Sequence, residues 1–174
     1  EELIRRKFLR MPFRKPHQTS DPKFIYKNNT GYEIKPRGLN IIWGNDLRYW
    51  KITSDDHAEL IQVSWLEVSG KVVIEGGKTY KVKFDVEVKE NGFGWDNTPV
   101  LVMAKIGKKG AYLYKEVKLV CNKSQTIPDD NESLTITVGQ QSNDLELHFG
   151  LYEVWSGKWK GGLVIKKAQV LQIN

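Results

Sequence analysis

From residue 79 to residue 89 the chain alternates without a break: Tyr80, Val82, Phe84, Val86 and Val88 are apolar or aromatic, and Lys81, Lys83, Asp85, Glu87 and Lys89 are charged. A repeat of two is the repeat of a pleated strand, whose successive side chains point to opposite faces, so this stretch puts one face on a core and the other in water. Segments with the same habit follow or precede it at 61–68, 70–74, 100–106, 112–120, 134–138, 145–154 and 163–173, and short β-rich pieces stand at 24–26, 32–34 and 39–43. Turn-forming residues separate them at Gly76-Gly77, Asn91-Gly92, 108–110, 128–131, 142–144 and Ser156-Gly157;. Strands at this spacing, with no long helical period among them, predict an all-β fold, an antiparallel β-sandwich of jelly-roll type.

A chain of 174 residues is one domain's worth and can bury a real core;. Its net charge of +6 is uneven. The first twenty residues carry six of the 27 Lys and Arg against two Glu, which leaves the rest of the chain nearly balanced. Residues 1–22 therefore read as a basic N-terminal tail and residues 23–174 as the sandwich domain. The tail could open as a short amphipathic helix, with Leu3, Ile4 and Phe8 on one side, before Pro12 and Pro16 end it;. A chain-wide basic footprint for nucleic acid is missing, so any RNA binding is expected to be weak and to run through the tail. Cys121 is the single cysteine, which excludes an intrachain disulfide and points to a reducing compartment, against three N-glycosylation-like triplets starting at Asn28, Asn122 and Asn131;. No apolar run is long enough to span a bilayer and the first twenty residues lack a signal-peptide core, so a cytoplasmic protein without membrane insertion is expected;.

Six tryptophans ask for an account. Two of them, Trp43 and Trp50, flank the turn cluster Gly44-Asn45-Asp46, with Tyr49 beside the second. Trp95 stands in a turn-rich stretch ahead of Asn97, and Trp155 and Trp159 bracket Ser156 and Gly157 just before Lys160. Trp65 sits inside an apolar segment and is expected in the core;. An indole can stack on the C–H face of a pyranose while its N–H donates, and short polar neighbours can satisfy the hydroxyls. The candidate carbohydrate-binding residues are therefore Trp43, Asn45, Asp46, Tyr49, Trp50, Trp95, Asn97, Trp155, Ser156, Trp159 and Lys160.

Catalytic arrangements are not visible in the same residues. His17, His57 and His148 are scattered, without metal-ligand spacing;. The pairs Asp55-Asp56 and Asp129-Asp130 fall in polar, turn-rich stretches, where solvated loops are the ordinary reading;. Cys121 is expected on an apolar strand, where an inert buried thiol is the default, and no phosphate-cradling glycine motif occurs;. No catalytic residue, metal or cofactor is assigned.

Four blocks, NIIWGNDLRYWKI, VSWLEVSGKV, GWDNTPV and LYEVWSGKWKGGLVIKKAQVLQI, occur in that order over residues 23–174. Together they resemble the phloem protein 2, or Nictaba-like, lectin family of plants. The resemblance implies a β-sandwich of the carbohydrate-binding-module type. It further implies non-enzymatic recognition of N-acetylglucosamine oligomers (chitin oligosaccharides and the N-glycan core), residence in cytosol, phloem sap or nucleus, and sugar contact by Trp43 and Trp50. A homodimer is expected to add avidity. The triplet ending in Trp159 and Lys160 is also similar to the glycan site of sugar-recognising F-box proteins, with Lys158 where those have an aromatic residue. The rival class is a phloem RNA-binding or scaffold protein acting through the basic tail.

Overall fold

The computed structural model describes residues 17–173, so the expectations placed on residues 1–16 lie outside the described residues. Two short strands, β1 (Ile25–Asn28) and β2 (Gly31–Ile34), form a first hairpin. After them come β3 (Asn40–Ile41), β4 (Trp50–Ile52), β5 (Ala58–Leu60), β6 (Leu66–Val73) and β7 (Thr79–Phe93). The chain ends with β8 (Val100–Ile106), β9 (Leu113–Val117), β10 (Lys123–Ile127), β11 (Leu134–Thr137), β12 (Glu146–Glu153) and β13 (Gly161–Ile173).

The strands make two antiparallel sheets, as the alternation predicts. One has five strands in the order β3-β6-β12-β8-β9. The other has eight, built round the long pair β7 and β13: β13 carries β2 and β5 on its far edge, and β7 carries β10 and β11 on its own. The core lies between the sheets and takes the apolar face of each strand: Val82, Phe84 and Val86 from β7 and Val170 from β13 meet Val68 from β6 and Phe149 from β12, all 0–1% exposed. Burying one such side chain stabilises the fold by roughly 1.5–3 kcal/mol, and many of them hold the sandwich against the entropy of ordering the chain.

The outward face of the eight-stranded sheet is a ladder of paired charges. Lys167 reaches Glu33 at 3.2 Å and Asp85 at 3.8 Å, Lys166 reaches Glu87 at 3.4 Å, Lys89 reaches Glu59 at 2.7 Å, and Lys81 reaches Asp130 at 3.4 Å. Hydrogen bonding and the nearby ammonium of Lys167 keep the Glu33 carboxyl below its ordinary range.

Several sequence expectations shift. The segments at 61–68 and 70–74 are not two strands: residues 61–65 form a loop, and β6 runs unbroken through Gly70. Gly70 lies opposite Phe149, whose ring occupies the space a Cβ would need, so this glycine admits a core ring and does not end a strand. Asn91-Gly92 is likewise no turn. The strand β7 continues to Phe93 because β13 follows it through two register shifts, between Gly161 and Leu163 and between Ile165 and Lys167;. The strand β10 was not expected: its residues are polar and mostly exposed, and pairing with β7 makes it a strand. Cys121, expected buried on a strand, is exposed in the turn before β10, because β9 already ends at Val117. At the other end, His17 and Gln18 already belong to the domain, since Gln18 and Ile41 exchange backbone hydrogen bonds of 2.9 and 3.0 Å. That is ahead of the domain start at residue 23 expected from the sequence.

Candidate functional site

Three loops meet at one rim of the sandwich: residues 42–49 between β3 and β4, residues 61–65 between β5 and β6, and residues 154–160 between β12 and β13. Backbone bonds knit them. The amide of Ile61 donates to the Tyr49 carbonyl at 2.8 Å, and Val63 and Lys160 exchange two hydrogen bonds of 2.9 and 3.0 Å. Between the loops lies a shallow cleft of about 110 Å³ lined by Trp43, Tyr49, Val63, Ser64, Trp65 and Trp159. Four of its six lining residues are aromatic, and Trp159 is 54% exposed.

Each ring is held by a different device. Trp43 has a left-handed backbone, φ 65°, which a bulky residue rarely adopts;. Its amide donates to His17 Nδ1 at 3.0 Å, and its indole sits between the edge of the His17 ring and Tyr49, both at 5.6 Å between centroids. Tyr49 is covered in turn by the Arg48 guanidinium at 5.1 Å. Trp65 immediately precedes β6, and its Nε1 is shielded from solvent with no hydrogen-bond partner among the described residues.

Lys160 secures the rim from beneath. It is fully buried, and its Nζ donates to the carbonyls of Ser64 at 3.0 Å and Lys158 at 2.9 Å and pairs with Glu153 at 2.8 Å. Three acceptors match the three donors of an ammonium. Burial pushes the Lys160 pKa down and the Glu153 carboxylate pushes it back up. The other oxygen of Glu153 accepts from the Ser156 amide at 3.1 Å. A buried pair of this kind contributes more to geometry than to net stability, and it fixes the 154–160 loop against the 61–65 loop.

The structure therefore sorts the candidates. Trp43, Tyr49 and Trp159 come together at the cleft. Trp50 and Trp95 are each 1% exposed and lie in the core, and the Trp95 Nε1 donates to the Gly161 carbonyl at 2.9 Å. Trp155 packs on the opposite side of the five-stranded sheet, against Leu101, Met103 and Tyr152. Lys160 is spent on internal partners, and Asn97 stays exposed in the loop after Trp95 with φ 54°. Asn45 donates to the His17 carbonyl at 3.0 Å. Asp46 is engaged by Arg48 at 2.7 Å, and that hydrogen bonding keeps its carboxyl below the usual range. Ser156 Oγ accepts from the Lys158 amide at 3.1 Å.

Trp65, expected in the core, is only partly buried and lines the cleft, because β6 begins one residue later. Sequence reasoning missed it for this role, along with Ser64 and His17. Among the described residues no group of three or more His, Cys, Asp or Glu could hold a metal ion, and no helix is long and apolar enough to cross a membrane.

The rim cleft thus gathers aromatic rings from three loops of an antiparallel sandwich. The chain belongs to the phloem protein 2 family, whose profile matches residues 29–171. Protein PHLOEM PROTEIN 2-LIKE A9 of Arabidopsis thaliana is 41% identical over 173 residues, covering 90% of this chain and 96% of that one. PHLOEM PROTEIN 2-LIKE A1 of the same plant is 26% identical, over 80% of this chain and 61% of its own length. In Immune-associated nucleotide-binding protein 10, also from Arabidopsis thaliana, the match at 27% identity takes in 81% of this chain and only 34% of that one. Among solved structures, the xylan-binding module CBM15 superposes with a TM-score of 0.43 and 10% identity, over 70% of this chain and 80% of that one, too distant a likeness to bear on the site.

Proposed function

We propose that this protein is a non-catalytic lectin whose rim cleft takes N-acetylglucosamine oligomers, the flat side of one ring stacking on Trp159 and Trp43. The observation that carries the reading is the cleft itself: aromatic faces from three loops, braced from behind by the buried Lys160 and open to solvent at Trp159. A pyranose has an apolar C–H face to match such rings and hydroxyls to direct outward, and rigid aromatic anchors lose little entropy on binding.

At about 110 Å³ the cleft is smaller than the roughly 300–1,000 Å³ pockets that engulf small ligands;. A single sugar should bind weakly, since water competes for its hydroxyls, and oligomers should gain by extending over neighbouring surface. A second copy of the chain would add avidity. RNA bound to the broad sheet would call for a track of unpaired cations, whereas Lys81, Lys89, Lys166 and Lys167 there each face a carboxylate;.

The test is a calorimetric titration with chitotriose beside cellotriose, which lacks the acetamide groups, with tryptophan fluorescence read in parallel. Binding of chitotriose with a fluorescence change, and markedly weaker binding of cellotriose, is the expected result. A folded protein that ignores both sugars ends the lectin reading, and equal affinity for both ends the acetamide preference.

A further inference from the structure

We infer that His17 is a positioning residue for the cleft: its imidazole holds the backbone of Trp43 in the left-handed conformation that brings the indole to the ligand. The inference rests on the lectin reading for its functional meaning. His17 lies outside the stretch matched by the family profile, residues 29–171.

The geometry is specific. A left-handed backbone suits glycine, asparagine and aspartate, and a tryptophan there must be held from outside. Both backbone polar groups of Trp43 are engaged. Its carbonyl accepts from the Asp46 amide at 3.0 Å, within the turn, while its amide donates to His17 Nδ1 at 3.0 Å, outside the turn. The same histidine is clamped to the loop a second time, because Asn45 Nδ2 donates to the His17 carbonyl at 3.0 Å.

The next residue, Gln18, is bonded twice to the Ile41 backbone, and its side chain donates to the carbonyls of Pro36 at 2.8 Å and Leu39 at 3.0 Å. This fastening gives the histidine a fixed station. The imidazole meets the indole at 73° between planes, and the Tyr49 ring packs on the same indole at 59°. What remains of the ring looks into the cleft shared with Trp159.

The chemistry of the contact supplies its own signature. An Nδ1 that accepts a hydrogen bond carries no proton, so the ring proton is on Nε2, and an imidazolium cannot make the bond. An asparagine at position 17 places an accepting Oδ1 the same number of bonds from the backbone.

The experiment compares the full 174-residue chain with His17→Ala and His17→Asn, by chitotriose calorimetry, thermal melting and hydrogen exchange at the Trp43 amide. His17→Ala should bind about tenfold more weakly, the worth of one buried hydrogen bond, and exchange the Trp43 amide faster by a similar factor. His17→Asn should restore both near neutral pH. If His17→Ala fails to fold, His17→Gln, whose acceptor stands one bond further from the backbone, takes its place in the comparison with His17→Asn.

Unchanged Trp43 exchange in a folded His17→Ala overturns the inference. So does an asparagine variant that melts like the wild type yet binds as weakly as the alanine one. Should the wild type bind no sugar, the lectin reading fails while exchange at Trp43 still decides the role of His17.

Discussion

Four of the six indoles fall into two groups, one deep and one at the rim. Trp50 and Trp95 are sunk in the core, each 1% exposed, whereas Trp43 and Trp159 stand at the rim, the latter 54% exposed. What separates them is the backbone that carries them. Trp50 opens β4 directly opposite Leu60, and the Trp95 N–H finds the Gly161 carbonyl, so both are absorbed into sheet geometry. Trp43 and Trp159 sit on loops whose own main chains are pinned, by His17 in one case and by Lys160 in the other. Pinning the backbone frees the ring. A loop held by its main chain can leave an aromatic face to solvent without collapsing over it.

The sharpest way to break the comparison is truncation of the deep pair. Trp50→Ala and Trp95→Ala should each lower stability by about 3–5 kcal/mol, through lost transfer energy and the cavity left behind. Urea denaturation reads this directly, and a loss under about 1 kcal/mol would mean that these rings are not core. Next comes the boundary between the groups. Lys160→Met should cost about 3–5 kcal/mol because it leaves the Glu153 carboxylate, 3% exposed, without its cation;. Adding Glu153→Gln should recover most of that, since a neutral side chain can still accept from the Ser156 amide. If the double variant is no better than the single one, Lys160 acts through packing and not through charge.

The same residues show what a sequence can and cannot reveal. The alternation in β7 foretold one buried and one wet face, and both are there, because a repeat of two has no other stable use;. Tryptophans near turns were separable from the bulk, but their depth was not. Trp50 follows Tyr49 by one residue and is buried, while Tyr49 lines the cleft. That difference is strand parity, fixed by where β4 starts, a one-residue matter that composition does not encode. Trp65 was misplaced for the same reason at the start of β6. Lys160 looked like a polar neighbour of the site, and only tertiary structure brings Ser64 and Glu153 to its Nζ. β10 was invisible because its strand character comes from β7 alone.

The contrast extends from rings to charges. Glu153 is buried with a cation, whereas Glu67, 7% exposed on the outward face of β6, is raised by desolvation to a pKa of about 7. In the unfolded chain the same carboxyl titrates at about 4.3. Between those values the native state holds more protons than the unfolded one, so stability is full at and below the lower value, declines as pH rises through the window, and levels off above pH 7. The decline amounts to at most about 4 kcal/mol. Glu67→Gln should remove this slope, so that the variant gains on the wild type from pH 5 to pH 8. Parallel stability profiles for the two would show that the carboxyl is solvated after all.

The smallest expected change in stability belongs to the rim, and there it discriminates best. Trp159→Ala should alter stability by less than about 1 kcal/mol, as for other exposed positions, while chitotriose affinity falls at least about tenfold. Trp159→Phe keeps a flat ring of smaller area and loses the N–H. If the stacking face matters, phenylalanine should retain a substantial part of the affinity, and if the N–H donor matters, it should behave like alanine. A variant that loses several kcal/mol of stability together with binding would place Trp159 with the deep pair and erase the distinction between the two groups.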